Sequence, residues 1–519
     1  MRSIWHEAPL WVHVIIVAAG ALLAVVVVFV SANWPYRHRK IAPLLEDVLA
    51  SHVTFTGYHR TYFPKPGFVA TGITMRRNSA PNLSPLGHVD TMVVQGTWSD
   101  LIMLRQRVEL VDITGLHVVV PPIGSKDNHE DFPPGSGKDF SGPETMIERF
   151  VVHKSLLEIL RKDGKPLSFP IKQLEIRNLH KGEALTYAVD LQNAIPTGHI
   201  LAHGSMGPIS GKDFAATPVS GNFAFTQVNL HDVGDISGTL DARGVFKGAL
   251  QAMEVETTAE TKNFSVDDGK PTPVNGAMQC TLFGSNGDLD IHSLDVKIRE
   301  TTIRASGSIK GAPKITNLDI RVDRGRAEDV MQPFIHNQVP ISGPVWLKSH
   351  AYVGPPGDSF MQRLRVTGIF NVPAEKVSDQ KTEKSLSAFS ERARGDRKPN
   401  TGVISDSKPS DETRDVLSSV QGPAVIENSV ASTPRLTFKV EGATATLRGT
   451  FRFHDEAVHM TGDLKMDTDI SHATTGFKSF LLKPLAPFFK KKNEGAVVPI
   501  AITGTPGHYQ VTQDLTHGK

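Results

Sequence analysis

One short segment of the chain has residue types and spacing that could bind a metal ion. Asp288, Asp290 and His292 alternate along the sequence, so a β-strand would place two carboxylates and an imidazole on one face. Leu289 and Ile291 fill the positions between them, which is also the pattern of an ordinary strand with one apolar and one solvated face. We favour the solvated face and predict no metal site.

The motifs of the common enzyme classes are incomplete or misplaced. The pairs Gly137-Lys138 and Gly211-Lys212 lack the earlier glycine of a phosphate-binding loop. Ser378-Asp-Gln-Lys381 has the spacing of a serine nucleophile and its lysine, but it lies in a stretch rich in serine and charge instead of opening an apolar helix. We therefore predict no catalytic residue, no cofactor and no enzymatic step.

Alternation of apolar and polar residues with period two dominates the chain behind its N-terminal segment and predicts a mostly β protein. The 44 glycines and 34 prolines suit many short strands joined by turns. Each predicted strand has one apolar and one polar face. The residues that we predict to line a shared apolar groove are Leu294, Val296, Ile298, Ile303, Ile309, Leu318, Ile320, Val322, Leu436, Phe438 and Val440.

Two arrangements would shelter such an apolar surface from water. In a closed sandwich a second sheet covers it, whereas in an open, curved sheet it lines a trough suited to acyl chains. The sandwich is the commoner arrangement of antiparallel sheets, and the sequence leaves both open.

Residues 10–32 contain no Asp, Glu, Lys or Arg. As a helix they would reach roughly 34 Å, enough to cross a bilayer core of about 30 Å. A secretory signal peptide would have a shorter apolar core and a small-residue cleavage site. We therefore predict a transmembrane signal anchor behind a short tail of residues 1–9. Arg37, Arg39 and Lys40 follow as candidate membrane-interface residues, although the positive-inside rule alone would place the rest of the chain in the cytoplasm.

Residues 476–492 combine apolar positions at near-helical spacing with Lys490, Lys491 and Lys492, and predict an amphipathic helix. Such a helix could lie in a bilayer interface with its three lysines on anionic headgroups. It could equally cap the end of the sheet with solvated lysines, and Pro484 and Pro487 slightly favour the cap. The three lysines are the second set of candidate membrane-interface residues.

The rest of the chain divides by composition and periodicity. Residues 40–53 predict a short amphipathic helix, and strand patterns predict β structure in the rest of residues 37–120 and in residues 170–377 and 422–519, of which the central region is the longest. Residues 121–169 predict a loop followed by one helix over Pro143–Arg161. Residues 378–421 are rich in serine and charge and predict a flexible insertion.

The chain holds 56 basic and 54 acidic residues, a formal net charge of +2. This balance, without a basic stripe, argues against a nucleic-acid partner. The single cysteine, Cys280, excludes an intramolecular disulfide, and we predict that it is a small apolar residue on a strand.

Three stretches of the chain carry a resemblance to a known family. They are residues 37–46 behind the apolar segment, residues 59–72 with 110–122, and residues 473–483 with 498–505. They resemble the AsmA-like proteins of Gram-negative envelopes, relatives of TamB and of chorein-type lipid bridges. The resemblance implies an inner-membrane anchor, an AsmA- or chorein-like region over residues 37–120, an AsmA-like C-terminal region and an elongated antiparallel sheet that forms a curved groove.

The function implied by this resemblance is the handling of lipid without catalysis. We expect a single-pass protein of the bacterial inner membrane whose bulk lies in the periplasm, where its apolar β-groove binds or conducts phospholipids and supports outer-membrane biogenesis and integrity. The expected partners are phospholipid acyl chains, the inner membrane and outer-membrane assembly proteins. The alternative, from a different class, is a membrane-tethered scaffold that assists outer-membrane protein assembly by pairing a sheet edge with partner strands.

Overall fold

The computed structural model describes residues 51–77, 87–103, 105, 107–120, 146–160, 166–209, 213–284, 286–311, 313–337, 339, 341–377, 418–440, 443–466, 497–506 and 508–513. Within them, 26 strands join into one sheet and helices are few and short. The prediction of a mostly β protein is confirmed.

The strands follow one another along the chain with short connections. The first thirteen are β1 (Ser51–Thr54), β2 (Gly57–Thr61), β3 (Gly67–Arg77), β4 (Gly87–Gln95), β5 (Arg107–Val120), β6 (Met146–Leu160), β7 (Pro166–Leu179), β8 (Leu185–Asn193), β9 (Gly198–Met206), β10 (Pro218–Asn229), β11 (Ile236–Ser237), β12 (Thr239–Ala249) and β13 (Ala252–Val266). The remaining thirteen are β14 (Thr272–Phe283), β15 (Asp288–Ile298), β16 (Thr301–Lys310), β17 (Ile315–Arg326), β18 (Ile341–Ser342), β19 (Pro344–Val353), β20 (Leu364–Val377), β21 (Ser418–Glu427), β22 (Val430–Val440), β23 (Ala443–Arg452), β24 (Val458–Met466), β25 (Val497–Gly504) and β26 (Gln510–Gln513).

The helices of the described residues are single turns in the connections. They are α1 (Trp98–Ile102), η1 (Phe214–Ala216), η2 (Leu230–Val233), α2 (Ala327–Met331), η3 (Gln332–Phe334) and α3 (Phe360–Arg363), where η marks a 3-10 helix. None of them has the length and hydropathy that a membrane crossing requires. The predicted segments 1–9, 10–32 and 476–492 lie outside the described residues.

Strands that are consecutive in sequence are neighbours in the sheet. Every described pairing is antiparallel except that of β5 with β6, which is parallel. Three pairs of short strands share a partner: β1 and β2 on β3, β11 and β12 on β13, and β18 and β19 on β20. Because each of these pairs is one interrupted strand, the 26 strands occupy 23 positions.

The helix predicted over Pro143–Arg161 is wrong, because Met146–Leu160 form the 15-residue strand β6. The helical spacing arose because β6 is buried on both faces near its start, where Phe150 and Val151 point to opposite sides and are each 1% exposed. Lys154 then adopts a left-handed conformation, with φ of +46°, and shifts the alternation. A parallel strand buried on both faces has no period of two for the sequence to display.

The insertion predicted for residues 378–421 lies outside the described residues as far as residue 417. Its last four residues, 418–421, are the start of β21, so the predicted boundary is wrong there. Val420 is the one apolar residue among these four, and it is 4% exposed. The last described strands are β25 and the short β26.

Strand register divides the sheet into two chemically different faces. We call inner the face that carries Phe68, Phe150, Val255, Ile320 and Leu447, and outer the opposite face. Directly paired residues point to the same side of a sheet. Following the pairings from β1 to β26 therefore places most of the buried apolar residues on the inner face.

Contacts between opposite rims of the sheet show that it is coiled. The η2 turn lies at one rim, between β10 and β11, whereas α3 lies at the opposite rim, between β19 and β20. Nonetheless Arg363 Nη2 donates a hydrogen bond to the Val233 carbonyl at 3.1 Å, although seven strand positions separate these connections. Coiling of a twisted sheet brings its rims together in this way.

A second rim contact lies further along the coil. The buried carboxylate of Glu456, in the β23–β24 turn, accepts hydrogen bonds from the backbone amides of His336 and Asn337, both at 3.0 Å. Phe334 from the first rim and Phe453 from the opposite rim pack against one buried cluster. These contacts join the connection between β17 and β18 to the turn between β23 and β24, so they hold distant parts of the sheet together.

Candidate functional site: the apolar inner face

The register brings the predicted groove residues together on the inner face. Val296 pairs with Ile303, and Leu294 pairs with Ala305, which pairs in turn with Ile320. The same face continues through Ser349, Gly368 and Ala424 on the following strands. The other predicted residues on this face are Ile298, Ile309, Leu318, Val322, Leu436 and Phe438.

Most of these side chains are only partly covered. Ile298, Val322 and Leu436 are buried, with exposed fractions of 5%, 0% and 8%. The half-buried members are Leu294, Val296, Ile303, Ile309, Leu318, Ile320 and Phe438. The side chain of Val440 lies outside the described part of the structure. A second sheet laid on this face would bury these residues fully, so the half-buried state corresponds to an open, curved sheet.

The apolar surface extends in both directions from the predicted residues. Over β10 to β15 it includes Val219, Met253, Val255, Cys280 and Ile291, each at most 9% exposed. Over β21 to β26 it is continued by a second cluster. Its members are Val420, Leu436, Ala445, Leu447 and Ile500, with Phe370, Phe438, Met460, Leu464, Ile502 and Val511 packed around them.

Small residues on the inner face let the sheet curl and leave room along it. At Gly244 an added Cβ would lie 2.4 Å from the Glu256 carbonyl oxygen and 2.8 Å from the ring of Phe223. Gly307 has φ of +152° and leaves even less room beside its partner strand. A side chain larger than hydrogen does not fit at either position. From the sequence, no such role was predicted for Gly244 or Gly307.

The inner face of the first seven strands is different, because its own side chains fill it. Phe68, Ile147 and Leu179 have no exposed surface, and Phe150 and Ile113 are 1% exposed. These residues belong to one dense cluster that reaches from β1 to β9. The apolar face is therefore a packed core at its N-terminal end and a partly open surface beyond β8, a difference that alternation alone does not reveal.

At two titratable groups that point to the inner face, Cys280 and Tyr187, burial is the largest influence on the pKa. Burial raises the pKa of the Cys280 thiol to about 11, with a smaller contribution from the Glu254 carboxylate. Burial also raises the pKa of the Tyr187 hydroxyl to about 12, and this hydroxyl donates to the Ser220 carbonyl at 3.3 Å. Both groups are therefore neutral at pH 7, in keeping with an apolar environment.

The outer face is polar and crossed by ion pairs between neighbouring strands. Arg304 Nη1 lies 3.1 Å from the Asp323 carboxylate, and Lys172 Nζ lies 3.1 Å from that of Asp190. Exposed pairs of this kind contribute little to stability. Their charges keep the outer face hydrated, whereas the inner face is apolar.

Asp288, Asp290 and His292 have separate partners. Lys314 pairs with Asp288 and Lys310 with Asp290, each at 2.5 Å, whereas His292 Nε2 lies 2.8 Å from the Thr281 hydroxyl. Within the described residues no group of three potential ligands is placed to hold a metal ion.

The candidate membrane-interface residues cannot be placed relative to this surface. Arg37, Arg39, Lys40, Lys490, Lys491 and Lys492 all lie outside the described residues. Comparison of the chain with protein-family models, with curated proteins and with solved structures gave no match.

Proposed function

We propose that this chain is an inner-membrane-anchored periplasmic protein that binds or conducts phospholipids along the inner face of its sheet and so supports outer-membrane biogenesis and integrity. One observation carries the proposal: beyond β8 the inner face is lined by apolar side chains of which several, such as Ile303, Leu318 and Ile320, are only partly buried, with a charged face opposite. Apolar side chains that stay partly exposed along one face of a sheet offer a surface to an apolar ligand.

The physical basis of the proposed function is replacement of the bilayer around the lipid tails. Each methylene group kept from water contributes about 0.8 kcal/mol, so an acyl chain lying against Leu318, Ile320 and Phe438 is stabilised along its whole length. The charged headgroup stays in water, outside the coil. No covalent step is needed, in agreement with the expectation that the protein is not an enzyme.

The length of the proposed path follows from the number of strand positions. Twenty-two spacings of about 4.8 Å give a contour of about 105 Å across the sheet, which coiling shortens. Because buried side chains fill the inner face as far as β8, we assign bound acyl chains to the strands beyond β8. The proposed periplasmic topology is tested by a reporter enzyme fused after Lys519, which must be active in the periplasm.

The experiment is mass spectrometry of lipid that copurifies with the full chain after gentle extraction. Ile303→Asp and Ile320→Asp place a charge on the inner face, where its dehydration opposes lipid binding. Thr302→Asp is the matched control, since it lies next to Ile303 on the outer face and pairs across from Lys297. We expect phospholipid on the wild type and the control and severalfold less on the two inner-face variants.

Two results would contradict the proposal. One is a wild-type protein without bound acyl chains. The other is unfolding of the Ile303→Asp and Ile320→Asp variants, measured by circular dichroism, because residues that tolerate no charge belong to a closed core.

The alternative function, a scaffold for outer-membrane protein assembly, would use a free sheet edge. Within the described residues β26 pairs only with β25, and its four residues offer few hydrogen-bonding groups to a partner strand. Short edge strands are typical of proteins that avoid edge pairing. The lipid proposal is therefore favoured, and a protein that captures unfolded outer-membrane proteins but no lipid would reverse this order.

A further inference from the structure

Four large apolar side chains stand in solvent at one corner of the sheet. Phe63 is 90% exposed, Tyr62 and Met103 are each 61% exposed and Trp98 is 42% exposed. We call these four residues the aromatic patch. Tyr62 and Phe63 lie in the β2–β3 turn, and Trp98 and Met103 lie in or directly after α1, between β4 and β5.

Backbone hydrogen bonds hold the two parts of the aromatic patch side by side. The Gly96 amide donates to the Pro66 carbonyl at 2.8 Å, which joins the β2–β3 turn to the segment that leads into α1. Thr97 caps α1, since its hydroxyl accepts a hydrogen bond from the Asp100 amide at 3.1 Å. The exposed rings are therefore presented by a preformed surface.

Cations border the aromatic patch. Arg60 and Arg105 have exposed side chains, and Arg105 has an acidic neighbour only at 3.9 Å, in Asp100. Lys65 is engaged by Glu109. Exposed Trp, Tyr and Phe beside arginine are the composition of a membrane-water interface, where the rings enter the headgroup layer and the cations meet anionic lipids.

We propose that the aromatic patch docks this corner of the sheet on the surface of a bilayer that contains anionic lipid. The patch lies at the first edge of the sheet, close in sequence to the predicted anchor. Residues 33–50 can extend to about 60 Å, and β3 spans about 36 Å, so one bilayer can hold both the anchor and the patch. This proposal rests on the proposed function because it requires the chain to lie at that membrane. It does not require the inner face to bind lipid.

The test uses the full chain reconstituted in vesicles of phosphatidylcholine with or without phosphatidylglycerol. A nitroxide is attached at Phe63→Cys or, as control, at Val245→Cys, which is exposed on the outer face. The native Cys280 is buried and does not compete for the label. The rate at which the nitroxide collides with oxygen, which partitions into lipid, is compared with the rate at which it collides with a water-soluble nickel chelate.

We expect the oxygen-to-nickel ratio at position 63 to exceed that at position 245 severalfold, and to fall when phosphatidylglycerol is omitted or when Arg60→Glu and Arg105→Glu are combined. A label at position 63 that is as open to nickel as the control would overturn the proposal. A label shielded from both reagents would also overturn it, since the patch would then face protein.

Failure of this proposal can be separated from failure of the proposed function. A Phe63→Ala, Trp98→Ala variant retains the inner face and must still copurify with phospholipid if the groove proposal is right. Loss of lipid from the wild type with retained insertion at position 63 would instead reject the groove and keep the docking surface.

Discussion

At the scale of residues, the inner face contains a packed region and a partly open region. The effect of the same Ile→Ala substitution in each region distinguishes them. Ile147 on β6 has no exposed surface, whereas Ile303 on β16 is half-buried. We expect Ile147→Ala to reduce the free energy of unfolding by about 4 kcal/mol, because it leaves a cavity in a packed core. Ile303→Ala should cost less, about 2 kcal/mol, since part of its apolar surface is already in contact with solvent.

The measurement is urea denaturation of both variants in the same detergent. Equal losses near the larger value would contradict an open inner face, because Ile303 would then lie in a closed core.

Cys280 reports directly on the environment of the inner face. Its thiol is buried and its pKa is raised to about 11, so at pH 7 only a very small fraction is the reactive thiolate. We expect maleimide to leave Cys280 unmodified at pH 7 and to react faster as pH approaches 11. Ser306→Cys, exposed on the outer face of β16, is the control and should react within the same period. Rapid labelling of the native protein at pH 7 would contradict this environment.

At the scale of elements, an acidic side chain fixes the interruption between β18 and β19. The Gly343 amide donates to Glu328 Oε2 at 2.9 Å, and Arg326 pairs with the same carboxylate. Burial acts to raise the pKa of Glu328, but the hydrogen bond from Gly343 and the charge of Arg326 outweigh burial and lower the pKa below 4.5. The folded protein thus favours the ionised form.

A lowered pKa gives this contact a defined pH dependence. Its contribution to stability is present above the unfolded pKa and is lost as pH falls through the folded pKa. We expect Glu328→Gln to destabilise the protein at pH 7 and to match the wild type near pH 3, after protonation. Thermal unfolding of both proteins across this range is the measurement, and a difference that stays constant with pH would contradict the assignment.

The sequence predicted strands correctly where only one face of the strand is buried. Alternation located strands such as β16 and β17, and it placed Ile303, Leu318 and Ile320 on one face. It failed at β6, where burial of both Phe150 and Val151 produced a helical spacing. Local sequence also underestimated the sheet at residues 418–421, where pairing with β20 and β22 decides the structure.

The sequence predicted which residues lie on the inner face, but it did not predict whether the sheet forms a closed sandwich or an open trough. The choice between sandwich and trough depends on coiling, and coiling depends on contacts such as that of Glu456 with His336, which lie 120 residues apart. No local pattern encodes such a contact. The aromatic patch was missed for a related reason: its four residues come from two turns, where apolar residues have no period to detect.

At the scale of the whole molecule, three structural features act together in the proposed function. The coiled sheet presents an apolar inner face beyond β8, the packed first strands form its rigid end, and the aromatic patch lies at the corner of that end. In the proposed topology the predicted anchor and the patch hold the packed end on the inner membrane. Lipid would then occupy the more open part of the coil, away from the packed core.

The central claim is that lipid tails contact the inner face and not the outer face. The most direct measurement places a photoreactive residue at each of the positions 318 to 321 along β17 and irradiates cells that express the full chain. Leu318 and Ile320 point inward, whereas Asp319 and Arg321 point outward and are exposed. The account predicts phospholipid crosslinks at positions 318 and 320 and none at 319 and 321. Equal yields at all four positions, or crosslinks to protein alone, would contradict it.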